Sequence, residues 1–282
     1  MIRSFAEPDT PVSDASRRRL LALGATGLAV GLAGCLSLGA VTRSSSEGRT
    51  LPLDGASSLS VHNLNGAIGV TSWDGDGVDL TVTKRATDDA ALGRARVDAA
   101  VTDGVLAVRT TDTSRGTQQR ATVDLDLRVS EDLPVALLET RNGDVDVEGV
   151  VGDLRAVTQN GNARVRDVDG YVTLESANGN VEATGCRGVD GARTANGDVD
   201  VELASLRRDV AFDSGNGNVV LRLDPDLSAD YRAESGVGRV RVVDLDATDR
   251  VDERRSASGR PGTGGPVLTA TTGNGDVELR SR

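Results

Sequence analysis

The sequence predicts an all-β protein, a parallel β-solenoid of two sheets in the β-roll or β-helix manner, with about 18 residues per coil and a less regular β segment at its N-terminal side. Three observations carry that expectation. Asn-Gly recurs at 142, 160, 178 and 196, a constant interval of 18. Apolar residues alternate with polar ones between the repeats, as in half-buried strands. Side chains also match their counterparts at offset 18 better than at offset nine. The inward positions read Val145, Ala163, Val181, Val199 and Val147, Val165, Ala183, Val201, while the outward column Asp146, Arg164, Glu182, Asp200 sets Arg164 between two acids. An antiparallel meander joined by Asn-Gly hairpins would pair adjacent units instead. A solenoid lays each unit on its counterpart one coil later, where opposite charges about 4.8 Å apart attract.

Along the chain, residues 1–34 are expected to be an export signal. Arg17, Arg18 and Arg19 precede an uncharged run from Leu20 to Gly34, too short for a permanent membrane span and suited to a cleaved apolar segment. The Arg17-Arg18 pair resembles the twin-arginine export motif, and Leu32-Ala33-Gly34-Cys35 resembles a lipobox, which implies lipidation of Cys35 and a mature N-terminus there. Cys186 then has no partner for a disulfide and reads as a small buried hydrophobe. Residues 35–50, with Ser44-Ser45-Ser46, are expected to tether the anchor to a folded domain over 51–282. Strands follow at Leu59-Val61, Ile68-Val70 and Val78-Leu80-Val82, a helical turn near Thr87 to Gly93, a hairpin around Asp103-Gly104, and a period-two run from Ala121 to Val129. From Asn142 the chain divides into nine-residue units, two per coil, with Leu154, Ala156, Val172 and Leu174 facing inward from the alternate units. Asp190 stands where an apolar residue is expected, which predicts a bulge. Asn142-Gly143, Asn160-Gly161, Asn178-Gly179 and Asn196-Gly197 are predicted to mark one corner of successive coils, glycine permitting the turn and the asparagines able to form a ladder. Later copies lie at Asn216-Gly217, Val237-Gly238 and Asn274-Gly275. Residues 244–266, charged and then rich in Gly and Pro, are expected to be a mobile loop, and the final strand to close the C-terminal end.

Composition restricts function. The chain has 282 residues with 32 Lys+Arg against 43 Asp+Glu, a net −11. Residues 1–34 hold four Arg and three acids, so the remainder carries −12. With no basic stripe, nucleic acid is not an expected partner. Lys84 is the one Lys, and the Asp-, Glu-, Val-, Thr- and Gly-rich make-up resembles that of secreted haloarchaeal proteins. His62 is the one His, so neither a His-based triad nor a His metal cluster can form. No nucleophile elbow or phosphate loop occurs, and no cofactor is expected. The nine-residue unit offers one Gly followed by Asp144, Asn162, Asn180 or Asp198, an incomplete shell for calcium, so these are expected to be structural corners and no metal site is predicted. Asp144/Asp146 and Asp198/Asp200 could serve a polysaccharide hydrolase or lyase, but the two pairs stand three coils apart, roughly 14 Å by strand spacing. Trp73, Tyr171 and Tyr231 are scattered, and Trp73 is expected to plug the N-terminal end of the roll.

The repeated [ST]-x-N-G-[DN]-V-x-V, the early NLNGAIGVTSWDGDGVDLTVTK and the late TATTGNGDVELR resemble an adhesin-like family of β-solenoid domains of undefined function, over residues 51 to 282. That resemblance implies a β-solenoid displayed at the cell envelope and supplies no catalytic residues. The expected function is therefore a non-catalytic binding, adhesion or envelope-structural module, attached by Cys35 to the outer face of the cytoplasmic membrane and meeting an envelope component or polysaccharide. The alternative is a β-helix polysaccharide hydrolase or lyase.

Overall fold

The computed structural model describes residues 42–115 and 120–282; Arg17, Arg18 and Cys35 lie outside them. Strands β1 (Arg43–Leu51), β2 (Ser58–Asn63), β3 (Ile68–Trp73) and β4 (Val78–Ala86) lead to a short helix α1 (Asp89–Arg94). There follow β5 (Ala95–Thr102), β6 (Val105–Asp112) and β7 (Thr122–Ser130). The regular region is β8 (Val135–Asn142), β9 (Val145–Glu148), β10 (Leu154–Asn160), β11 (Ala163–Arg166), β12 (Tyr171–Asn178), β13 (Val181–Thr184), β14 (Gly188–Asn196), β15 (Val199–Leu203), β16 (Val210–Asn216) and β17 (Val219–Leu223). The chain ends with β18 (Asp230–Val237), β19 (Val240–Val243), β20 (Thr248–Asp252), β21 (Ser256–Arg260), β22 (Val267–Asn274) and β23 (Val277–Ser281).

Two sheets enclose one core. The first has 11 strands in the order β1-β4-β7-β3-β9-β11-β13-β15-β17-β23-β19, and the second 12 in the order β20-β21-β18-β22-β16-β14-β12-β10-β8-β2-β6-β5. The regular strands are parallel and in register: Ala163 lies between Val145 and Val181, and Arg164 between Asp146 and Glu182. The 18-residue translation is thus the physical repeat. It stretches to 20 residues where Val219 follows Val199. Both inward columns are buried, and in the second sheet large and small residues alternate as Leu138, Ala156, Leu174, Ala192, Phe212 and Ala270, so successive layers interdigitate. Asp190 is the extra residue of a bulge: Val172 pairs with Val189 and Thr173 with Gly191.

Neither end follows the simple stack. The coil of β2 and β3 sits between that of β6 and β7 and that of β8 and β9. The final coil, β22 and β23, is inserted between β16/β17 and β18/β19. The last strands therefore do not close the C-terminal end, contrary to the sequence-based expectation. That end carries β20 and β21, an antiparallel hairpin added to β18 where a mobile 244–266 loop is predicted. All five residues of β20 are exposed; backbone hydrogen bonding holds it, and apolar periodicity cannot reveal such a strand. The tether expectation needs the same correction. Ordered strand begins at Arg43, not near Leu51, because β1 pairs along its whole length with β4 while exposing eight of its nine residues. Trp73 does not plug the core. It lies half-buried at the end of β3 with its indole over Gly75 and beneath Arg128, whose guanidinium is 4.8 Å from the ring centre. Beside β1, β4 and β5 sits α1, its buried Ala91 in the core and its first turn capped by Asp88, which accepts from the Ala91 N–H at 2.6 Å.

Candidate binding surface

The Asn-Gly corner is a three-part spine. At its outer edge the carboxamides stack: Asn160 Nδ2 donates to Asn142 Oδ1 at 2.8 Å, Asn178 to Asn160 at 2.9 Å and Asn196 to Asn178 at 2.9 Å. Asn216 and Asn274 extend the ladder at 3.0 and 2.8 Å. Two residues further on, a second Asx column accepts from the backbone of the next coil, as when Asp144 Oδ1 takes the Asn162 N–H at 2.7 Å and Asp198 Oδ1 that of Asn218 at 2.7 Å. Inside stands a column of hydroxyls absent from the sequence-based list. Thr158 donates to the Gly143 carbonyl at 2.8 Å, Ser176 to Gly161 at 2.9 Å, Thr194 to Gly179 at 2.8 Å and Ser214 to Gly197 at 2.8 Å. These carbonyls point at the glycine of the following coil. A Cβ on Gly179, at φ +150, would collide with the Gly161 carbonyl. The recurring [ST] two residues before Asn-Gly was the available signal, but its inward aim depends on the coil being closed.

The outer face of the first sheet is a lattice of ion pairs. Arg164 lies 3.6 Å from Asp144, 3.3 Å from Asp146 and 3.9 Å from Glu182, and Arg166 lies 3.6 Å from Glu182. Arg222 Nη2 donates to Asp200 at 2.7 Å, and this bond is the main reason its pKa is raised. The acids proposed as a catalytic pair are thus spent on coil stacking and arginine pairing. Among the described residues no three His, Cys, Asp or Glu side chains converge to hold a metal ion.

At the opposite corner, the six residues Ala204–Asp209 between β15 and β16 carry Arg207 and Arg208. Both grip Asp190, the bulged residue, whose side chain is 4% exposed. Arg207 also reaches Asp153 at 2.8 Å and lies 4.0 Å over the Tyr171 ring. The Asp153 carboxyl is held below its usual range, first by the Tyr171 N–H at 3.0 Å and then by Arg207. Nearby Cys186 is buried, and burial pushes its thiol up, so it is no reactive nucleophile. His62 is half-buried, with Nδ1 3.3 Å from Glu139 Oε2.

The outer face of the second sheet differs. One row runs through His62, Glu139, Val157, Glu175, Arg193 and Asp213, and beside it small residues stack: Ala177, Ala195, Gly215, Gly273 and Gly236. Between these rows lies an open groove of about 450 Å³ lined by Val157, Glu175, Ala177, Arg193, Ala195 and Asp213. This floor suits an extended ligand laid across the strands, with hydrogen-bonding groups along one side and little steric relief on the other.

A family model described as Toastrack DUF4097 matches residues 42–280. The chain belongs to that family. No curated protein matches the sequence. Solved structures with some likeness include a "putative cell adhesion protein" from Clostridium sporogenes, 11% identical, covering 85% of this chain and 100% of that one with a TM-score of 0.38. A "putative adhesin" from Bacteroides fragilis is 12% identical over 84% and 97% of the two chains, at 0.39. A "putative lipid binding protein" from Parabacteroides distasonis is 13% identical over 83% and 96%, at 0.42. The Toastrack match begins at residue 42, where the described strands begin, and so takes in β1, which the sequence-based domain boundary omits.

Proposed function

We propose that this Toastrack protein is a non-catalytic binding or adhesion module, held outside the cell by a lipid on Cys35, which engages an envelope component or polysaccharide through the outer face of its second sheet. The observation that carries the reading is the contrast between the two faces. Both faces pair their charges, Asp144, Asp146, Glu182 and Asp200 with Arg164, Arg166 and Arg222 on the first sheet and Glu175 with Arg155 and Arg193 on the second, but only the second leaves an open strip of small side chains beside them. A flat floor of small residues lets a polymer approach the backbone closely, and the flanking charges give it direction. The export motif Arg17-Arg18 and the lipobox ending in Cys35 support the location; one lipid chain anchors only marginally, so a second chain or contact completes attachment.

The test is binding of envelope polysaccharides by the exported protein and by Ala195→Arg, which fills the groove floor from an exposed position. Saturable binding lost in Ala195→Arg supports the reading. New reducing ends that disappear in Asp144→Asn or Asp198→Asn would establish the hydrolase or lyase alternative instead. Cys35→Ser is expected to release the protein from the membrane fraction, and Lys at both Arg17 and Arg18 to block export.

A further inference from the structure

The two sheets end in four edge strands, and three are protected. β1 presents Ser, Glu47 and Arg49 side chains and is exposed from residue 43 to 50. β20 is short, irregular in register, and carries Asp249, Arg250 and Asp252. On β19, the Val240 N–H donates to the Arg254 carbonyl at 3.0 Å and the Val242 carbonyl accepts from Arg250 at 3.0 Å. Such devices keep sheet edges from pairing with other chains.

β5 is the least protected of the four. Its sequence, Ala95-Arg96-Val97-Asp98-Ala99-Ala100-Val101-Thr102, is eight residues long with five apolar side chains; its charges Arg96 and Asp98 lie on the outer face, and Arg49 covers one of its outward carbonyls. It joins β6 through Asp103-Gly104, whose φ of +51 and +77 define a two-residue turn flanked by the pair Thr102 and Val105. That flanking pair is hydrogen-bonded, so alternation assigns the N–H and C=O groups of Ala100, Asp98 and Arg96 to β6 and those of Val101, Ala99 and Val97 to the open side. The Val97 carbonyl confirms the phase: it accepts from Arg49 Nη2 at 2.8 Å on that side, retaining its second lone pair. The side chains of Ala99 and Val101 rest half-buried on the core, and a groove of about 540 Å³ lined by Ala100, Val105, Ala107, Ser60, Asp98 and Arg109 runs along the outer face of the same hairpin.

We propose that β5 is a self-association edge, where a second copy of this chain docks its own β5 antiparallel about a two-fold axis at Ala99, joining the two second sheets into one. The strand is self-complementary in that register. Ala99 faces its own counterpart, Val97 faces Val101, Asp98 faces Ala100 and Arg96 faces Thr102, so no like charges stand directly opposite. Asp98 is flanked by Arg109, its register partner on β6. Roughly six backbone hydrogen bonds form across the axis, and because the interface is isologous the association stops at two copies. An extended peptide of another protein would need the same open groups, and the experiment separates the two occupants.

Sedimentation of the full chain from about 1 to 100 µM reads the association directly. A concentration-dependent dimer is expected, with the Ala99 and Val101 amides slower to exchange in the dimer than in the monomer. Ala99→Pro deletes an outward N–H that β6 does not use. The double variant Asp98→Lys with Ala100→Lys, at two exposed positions, sets lysine against lysine across the axis. Each is expected to raise the dimer dissociation constant at least tenfold while leaving the circular dichroism spectrum unchanged. A chain that stays monomeric throughout overturns the proposal, as does a dimer indifferent to the double lysine variant. A monomer that instead binds extended peptides through β5 overturns it in favour of a heterologous partner.

Discussion

Single side chains at the Asn-Gly corner decide whether one coil can sit on the next. The Gly179 carbonyl lies against the following glycine and has Thr194 as its hydroxyl donor. Thr194→Val keeps the shape of a side chain only 5% exposed while removing that donor, and is expected to cost about 1–2 kcal/mol in chemical denaturation, with Thr194→Ser close to wild type. At the other corner Asp153 titrates below its usual range because the Tyr171 N–H and Arg207 favour its charged form. A depressed folded pKa contributes stability that is present above the unfolded value, about 3.9, and is lost as pH falls through the folded one. Asp153→Asn is therefore expected to flatten the loss of stability below about pH 4 in thermal melts, without changing the neutral-pH slope. The asparagine ladder was legible in the sequence because side-chain identity repeats with the coil. The threonine and serine column was not, since the same letters at the same spacing also describe exposed turn residues. The Asp190 cluster escaped for a different reason: its arginines come from an insertion outside the repeat.

Strands in this molecule are short, and each depends on the ones above and below. Val165 is fully buried between Val147 and Ala183 in a strand of four residues. Val165→Asp buries an unpaired carboxylate there and is expected to cost about 4 kcal/mol or more. Because neighbouring coils share that layer, hydrogen exchange should show lost protection in β9 and β13 as well as in β11. Parallel register was readable at this level, since stacking by translation forces apolar columns and charge alternation to appear at one offset. Antiparallel edges leave no such trace. β1 and β20 are held by backbone bonds, with nearly every side chain in water, so polar composition there reads as tether or loop. Trp73 was misplaced for a related reason: the size of an indole argues for burial, but the Gly75 turn and Arg128 offer it a sandwich on the surface.

The described residues build nine two-stranded coils, flanked by β1, β4 and β5 on one side and β20 and β21 on the other, and the order of the coils in space departs from chain order at both ends. β23 pairs with β17 at a separation of 58 residues, and β3 pairs with β7 across 57. No local periodicity encodes that intercalation, which is why the final strand was expected at the edge. Removing Val267–Arg282 therefore does not shorten the roll by a terminal coil. It opens a gap one coil thick between β16/β17 and β18/β19. The truncated chain is expected to lose β18 to β21 as a unit, seen as protease cleavage after about residue 224, whereas a simple stack would shed its end and remain intact.

The inserted final coil also sets when this protein becomes itself. A nascent chain makes residues 230–243 before β22 and β23, which must lie beneath them, exist, so β18 to β21 wait unsupported until those two strands emerge. Any cellular check on foldedness is then at the same time a check that β22 and β23 have been made, and a product terminated before them would betray itself by its loose end.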